Sequence, residues 1–293
     1  MSTFKKTAFT LIELLVVIAI IGILSGLIVV TMSGTTEKAN IAKSQVFSNS
    51  LKNSIMLDLV SEWRLEGDAS DTWGINEGTI VGATTLTSGC ARDNCLSFDG
   101  VDDYLSMGSD NSLNFTTDYT IEMFVYNEAG TVSYPTLFNR STGGANGFFW
   151  VFTGGTNEVN IRFQYSDGVS TLETSSFANV LPKDKWTHIV FTFNNIDKSL
   201  NLYTNGNYIT SRTLTTPQPV DDGVLYFGIY QLGVTTPFKG KMDEIRWYDT
   251  VMPAYIIKEH YYSALNNLLA SGQVTKDEYM NLISQSNNTY GKY

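Results

Sequence analysis

Residues 185–206 read KWTHIVFTFNNIDKSLNLYTNG, and they decide what kind of fold this chain adopts. WTHIVFTF and SLNLYT have the β-branched and aromatic content of strands. Asn205-Gly206 then stands between SLNLYT and NYIT. An Asn-Gly pair between two strand-like segments is a strong hairpin signal, because both residues accept the positive φ of a tight two-residue turn. The same character continues outward on both sides. TIVGATTL, CLSF, DYLSM, YTIEMFVY, FFWVF and NIRFQY come before this stretch, and YITSRTL and VLYFGIY come after it, broken by clusters of Gly, Asp, Asn and Thr. Many short runs with no helical pattern between them predict a mainly β fold, a sandwich or jelly roll over residues 60–253. About twelve or more strands in that length suit two packed sheets.

Composition narrows the function classes. The 293 residues are 43% hydrophobic and 16% charged, the balance of a globular chain. A net charge of −10 opposes attraction to phosphate backbones, so no nucleic-acid partner is expected. Glycans, proteins and cations remain open as ligands. Cys90 and Cys95 lie close together in CARDNC, and in an exported chain they are expected to form a local disulfide. The histidines, His188 and His260, have no ligand-like spacing to that pair.

The two ends are helical in pattern. Phe9 to Val30 covers 22 positions whose only charge is Glu13, and Lys5 and Lys6 stand before it. At 1.5 Å per residue that is roughly 33 Å of helix, the reach of a membrane span over residues 9–30, with the lysines on the cytoplasmic side. A carboxylate within such a span costs on the order of 2.5–3.5 kcal/mol, so Glu13 needs a reason. From residue 31 to 58 the pattern is amphipathic, with Ala39, Ala42, Val46, Leu51 and Ile55 at helical spacings. Residues 254–293 read as a helical hairpin and tail. Ile256, His260, Tyr261, Ala264, Leu265 and Leu268 share one face, Gly272 is a stop, and Thr275 to Glu278 is a capping box. The last residues, NNTYGKY, read as frayed.

KKTAFTLIELLVVIAIIGIL, residues 5–24, resembles the N-terminal signal of type IV prepilins and pseudopilins. That resemblance implies a leader of residues 1–8, cleavage by a prepilin peptidase between Ala8 and Phe9, and N-methylation of Phe9. It also implies that the apolar helix is retained. Where the family usually has glycine, this chain has Ala8. Glu13 would be the fifth mature residue, an assembly residue facing the new amino group of a neighbouring subunit. The implied partners are other pilin subunits and the membrane. The implied location is the cytoplasmic membrane as a prepilin, then a cell-surface filament or pseudopilus.

The segments EWRLEGDASDTWGINEGTIVG, CLSFDGVDDYLSM, KWTHIVFTFNNIDKSLNLYTNG and GKMDEIRWYDTVM together resemble the laminin-G-like branch of the concanavalin-A-like jelly rolls. Such domains often tie their first and last strands with a structural Ca²⁺. On that ground Asp71 and Asp243 are the candidate metal ligands, although Asp243 and Glu244 also suit a role as hydrogen-bond acceptors. Calcium needs about six to eight oxygens, more than two carboxylates supply. Asp99, Asp102 and Asp103 read first as a tight turn at Asp99-Gly100, and FFWVF as a strand buried on both faces. The C-terminal LASGQVTKDEY resembles short oligomerisation motifs; a hairpin packed on its own sandwich is the alternative.

Catalysis fails on the residues. Paired carboxylates about 5–10 Å apart are needed for glycoside hydrolysis, and TIEMFVYNE offers only Glu122 and Glu128, six apart. Glu122 reads as an ordinary strand residue and His188 as structural, so no catalytic residue and no cofactor beyond a possible structural Ca²⁺ is expected. The chain reads as a pilin-like subunit with an extracellular jelly-roll head that binds a glycan or a surface protein. The alternatives are a pseudopilin of a secretion or DNA-uptake machine and, less favoured, a membrane-anchored glycosidase.

Overall fold

The computed structural model describes residues 10–23, 55–113, 117–128, 134–141, 148–153, 159–165, 171–178, 180–214, 223–230 and 236–290. The chain divides into two compact units, residues 1–54 and 55–293. In the first, residues 11–23 form helix α1, along which Leu11, Ile12, Leu14 and Ile23 are exposed. Among the described residues no helix is long and apolar enough to cross a membrane. Ala8, Phe9 and nearly all of the expected amphipathic stem lie outside the described residues.

The second unit holds two antiparallel sheets. The eight-stranded sheet runs β13 (Asn207–Thr213), β12 (Ser199–Thr204), β11 (Trp186–Asn194), β6 (Tyr119–Asn127), β15 (Lys239–Tyr248), β4 (Cys95–Asp99) and β3 (Thr84–Leu86), with β1 (Leu59–Trp63) also on β15. The seven-stranded sheet runs β10 (Thr171–Phe177), β9 (Val159–Tyr165), β8 (Phe148–Thr153), β7 (Thr136–Ser141), β14 (Val224–Phe227), β5 (Tyr104–Ser106) and β2 (Thr79–Val81). Asn205 and Gly206 both have positive φ, 50° and 73°, which makes the β12–β13 turn the one their sequence prescribes.

Strand alternation builds the core. Ile121, Met123 and Val125 of β6 and Ile189, Phe191 and Phe193 of β11 point between the sheets. There they meet Phe138, Val151, Leu225 and Phe227 from the other sheet. The opposite face of β6 and β11 is buried as well, because the C-terminal hairpin packs on it. Helix α2 (Ala254–Ala270) brings Tyr261, Leu265 and Leu268 against Phe124 and Trp186. Burial on both faces accounts for the near-continuous apolar reading of these two strands. At the end of α2, Gly272 adopts φ +71°. Its N–H donates to Leu269 O, and the Gln273 N–H donates to Leu268 O, which closes the helix with a Schellman motif. Helix α3 (Lys276–Tyr290) starts on the expected capping box, with Thr275 N–H donating to Glu278 Oε2 at 3.0 Å and Glu278 N–H to Thr275 Oγ1 at 3.2 Å. It runs through NNTY, so those residues are helical rather than frayed.

Candidate functional site

The outward face of the seven-stranded sheet carries an unsatisfied polar group among aromatic rings. Ser106, Tyr226 and Asn139 are successive register partners across β5, β14 and β7. Phe138 packs into the core and Arg140 reaches under the sheet, donating to Leu113 O and Asp110 O. Alternation therefore puts Asn139 on the outer face, beside Tyr226. Asn139 is fully buried, yet neither its Oδ1 nor its Nδ2 has a hydrogen-bond partner. Tyr226 meets Tyr104 edge-to-face at 5.9 Å, and Phe152, further along the same face, meets Tyr134 at 5.4 Å. Val151 points into the core and Phe152 is almost fully enclosed, so for these two residues FFWVF is buried on both faces. An amide with free donor and acceptor atoms beside aromatic rings is the mixture found in small-molecule sites. The sequence signalled the rings but not the amide, because a lone asparagine in FNRS has no pattern.

The opposite sheet corrects the reading of Glu122. It is fully buried, and both histidines of the chain converge on it. His188 Nε2 donates to Oε1 at 2.9 Å from the neighbouring strand, and His260 Nδ1 donates to Oε2 at 2.8 Å from α2. The Arg246 guanidinium lies 3.6 Å from Oε1, and it also bonds Glu62 and Glu244. Burial alone would raise the Glu122 carboxyl, but His260 and His188 outweigh it and hold it well below the usual range. Burial pushes His188 down despite Glu122. His188 is stacked between Phe124 (4.7 Å) and Tyr261 (6.1 Å). The sequence could not pair Glu122 with residues 66 and 138 positions away.

Asp71 organises a loop. Its Oδ1 accepts the N–H groups of Glu62, Trp73 and Gly74, and its Oδ2 accepts that of Asn76. Both oxygens are thus engaged by main-chain donors, which is what shapes the loop. Asp243 accepts the Arg92 N–H on Oδ2, while Oδ1 has no partner, and burial with Glu244 and Glu66 nearby raises the group to about 9. Among the described residues, the acidic cluster with a metal-like arrangement is Asp99, Asp102 and Asp103, whose ligand atoms lie within 4.8 Å of one another. It is also the expected turn. Val101 N–H donates to Asp99, Asp99 N–H donates to Asp103, and Gly100 has φ +83°.

Cys90 and Cys95 are disulfide-bonded. At the N-terminus, Thr10 N–H and Oγ1 each donate to Glu13 Oε2 at 2.8 Å, and Glu13 N–H returns to Thr10 Oγ1 at 3.3 Å. Glu13 thus has a partner within its own helix, the reciprocal capping box. T-x-x-E at 10–13 was the signal for it, the same pattern as at 275–278.

Two antiparallel sheets packed into a jelly roll, with a polar and aromatic outer face, define a lectin-type sandwich. The chain belongs to the concanavalin A-like lectin/glucanases superfamily, whose profile matches residues 99–258. The prokaryotic N-terminal methylation motif matches residues 3–29. No curated protein matches the chain. Among solved structures it is similar to the binding domain of Paraclostridial Mosquitocidal Protein 1, at 16% identity and a TM-score of 0.57 over 72% of this chain and 53% of that one. It is also similar to domain 4 of AbnA, a GH43 extracellular arabinanase from Geobacillus stearothermophilus, in complex with arabinotriose. There the identity is 17% and the TM-score 0.52, over 69% of this chain and 97% of that one. A third is the botulinum neurotoxin serotype D ligand binding domain in complex with N-acetylneuraminic acid, with 14% identity, a TM-score of 0.58 and coverage of 73% and 52%. The chain spans about half the length of the two toxin domains.

Proposed function

We infer that this is a type IV pilin-like subunit whose jelly-roll head binds carbohydrate at the outward face of the seven-stranded sheet. One observation carries the reading: a methylation motif at residues 3–29 precedes a concanavalin A-like domain on the same chain. Prepilin peptidase would cut between Ala8 and Phe9, the apolar helix would hold the prepilin in the membrane, and copies of the helix would then assemble into a filament. The unpartnered amide of Asn139 beside Tyr226 supports the sugar site, since hydroxyl groups can donate to and accept from one amide. Sugars in two of the similar structures support it further. Glu122 lies enclosed beneath α2, which favours binding over catalysis.

Mass spectrometry of exported protein tests the first half. Methylated Phe9 is expected, and an intact Met1 sinks the pilin reading. A glycan array tests the second, with Asn139→Leu expected to abolish the signal. Silence of the wild-type chain across neutral and acidic glycans sinks the sugar reading.

A further inference from the structure

A cavity of about 390 Å³ lies on the eight-stranded sheet, between α2, β1, β15 and the disulfide loop. Its polar wall is Glu62, Arg92, Glu244, Arg246 and His260, and Leu59, Phe124 and Ala264 contribute apolar surface. The cationic groups of that wall are already matched. Arg246 is shared by Glu62, Glu122 and Glu244, while Arg92 lies 3.3 Å from Glu244 and 3.8 Å from Asp93. An anionic ligand would therefore meet no unmatched positive charge there.

The acceptors are in surplus. Glu62 has both oxygens bonded, to Arg246 on one side and to Arg64 and Thr72 on the other. Glu244 gives Oε2 to both arginines, but its Oε1 has no partner and its side chain is only 4% exposed. A buried carboxylate oxygen left unpartnered is costly, and a donor-bearing ligand relieves that cost. Among candidate donors, a divalent cation would lack its usual shell of about six to eight oxygens. A primary ammonium needs only a few acceptors, and it carries three donors on one centre.

We propose that this cavity binds a ligand bearing a primary ammonium group, with Glu244 as its principal acceptor. The inference is independent of the sugar site on the opposite sheet and of filament assembly. Two sources share the chemistry: an amino sugar with a free amine, and a lysine side chain.

Calorimetric titration of the full-length chain carrying Asn139→Leu, which silences the sugar site on the other sheet, separates them in detergent, using glucosamine, N-acetylglucosamine, glucuronate and Nα-acetyl-lysine amide. Binding of glucosamine, the lysine amide or both, with none of N-acetylglucosamine or glucuronate, is the expected result, and the tighter amine names the source. Glu244→Gln should weaken amine binding at least tenfold. Because that change disturbs a buried network, Ser263→Trp at the exposed rim provides a second test, since the indole would fill the cavity without touching the ion pairs. Equal binding of glucosamine and N-acetylglucosamine, no binding of either amine, or undiminished amine binding in Ser263→Trp overturns the proposal.

Discussion

Glu122 shows how one side chain is made tolerable by several others. A lone carboxylate in a core is strongly unfavourable, yet here each oxygen accepts from a different histidine, with Arg246 close by. Removing one member of such a buried charged set costs about 3–5 kcal/mol. Glu122→Gln is expected to lose that much in urea unfolding, because its amide would turn a donor toward a donor. The network also contributes to the acid sensitivity of the fold. His188 is held below its unfolded value of 6.5, so the unfolded chain takes up a proton that the folded one refuses as pH falls through that value. Stability declines there. It declines again below 4.5, where the unfolded Glu122 carboxylate protonates before the folded one. Unfolding free energies measured from pH 7 to 3 should show both losses, and Glu122→Gln should shrink the lower one, to which Glu62 and Asp71 also contribute. A flat wild-type profile would contradict the assignment. Asp71 makes a different prediction at the same scale. Asp71→Ala strips the acceptor from four N–H groups, and a loss on the order of 2–3 kcal/mol is expected, the same with or without EDTA. If EDTA alone reproduces the loss in the wild-type chain, a metal is holding the loop.

At the scale of elements, strand β15 carries the instructive irregularity. Its register on β6 slips between Asp243 and Arg246, and Glu244 has φ +51°. The bulge admits one extra residue and re-aims those after it, so that Arg246 stands opposite Glu122. The signal was present: Met242, Ile245 and Trp247 enter the core at spacings of three and then two, where a regular strand keeps two throughout. The disulfide loop is fastened to the same region. Arg92 N–H donates to Asp243, Asn94 N–H to Glu66, and Trp186 Nε1 to Gly89 O. A loop this short gives its cross-link a modest entropic effect, about 2 kcal/mol. Cys90→Ser with Cys95→Ser should lower stability by about that amount and leave the far-ultraviolet spectrum unchanged. In the hairpin, Gly272→Ala forces a side chain into the left-handed region and should cost about 1 kcal/mol, read as earlier melting of the C-terminal helices.

For the whole molecule, the consequence lies in α1. Exposed apolar side chains run along it, and its single acid caps its own first turn. The cap satisfies the carboxylate before assembly, so Glu13→Ala is expected to weaken the helix start as well as block filament incorporation. Glu13→Gln separates the two, because a glutamine keeps the capping box and loses the charge. Membrane insertion with failed assembly in Glu13→Gln places the charge in assembly; normal filaments place it in capping alone.

Much of this was legible from local chemistry. Asn205-Gly206 fixes a turn because φ is a property of the residue. Alternation fixes which faces of β6 and β11 are apolar because a strand has a period of two, and T-x-x-E at 10–13 and 275–278 fixes two helix starts because donor and acceptor are three residues apart. The methylation motif belongs with these, since a short segment carries all of it. Tertiary structure alone decided what depends on long-range pairing. It brought His260 across 138 residues to Glu122 and left the Asn139 amide unpartnered among rings. It also filled Asp71 with main-chain donors. Each of these is a contact between residues far apart in sequence or a main-chain bond set by loop geometry, and neither is encoded by any single stretch of the chain.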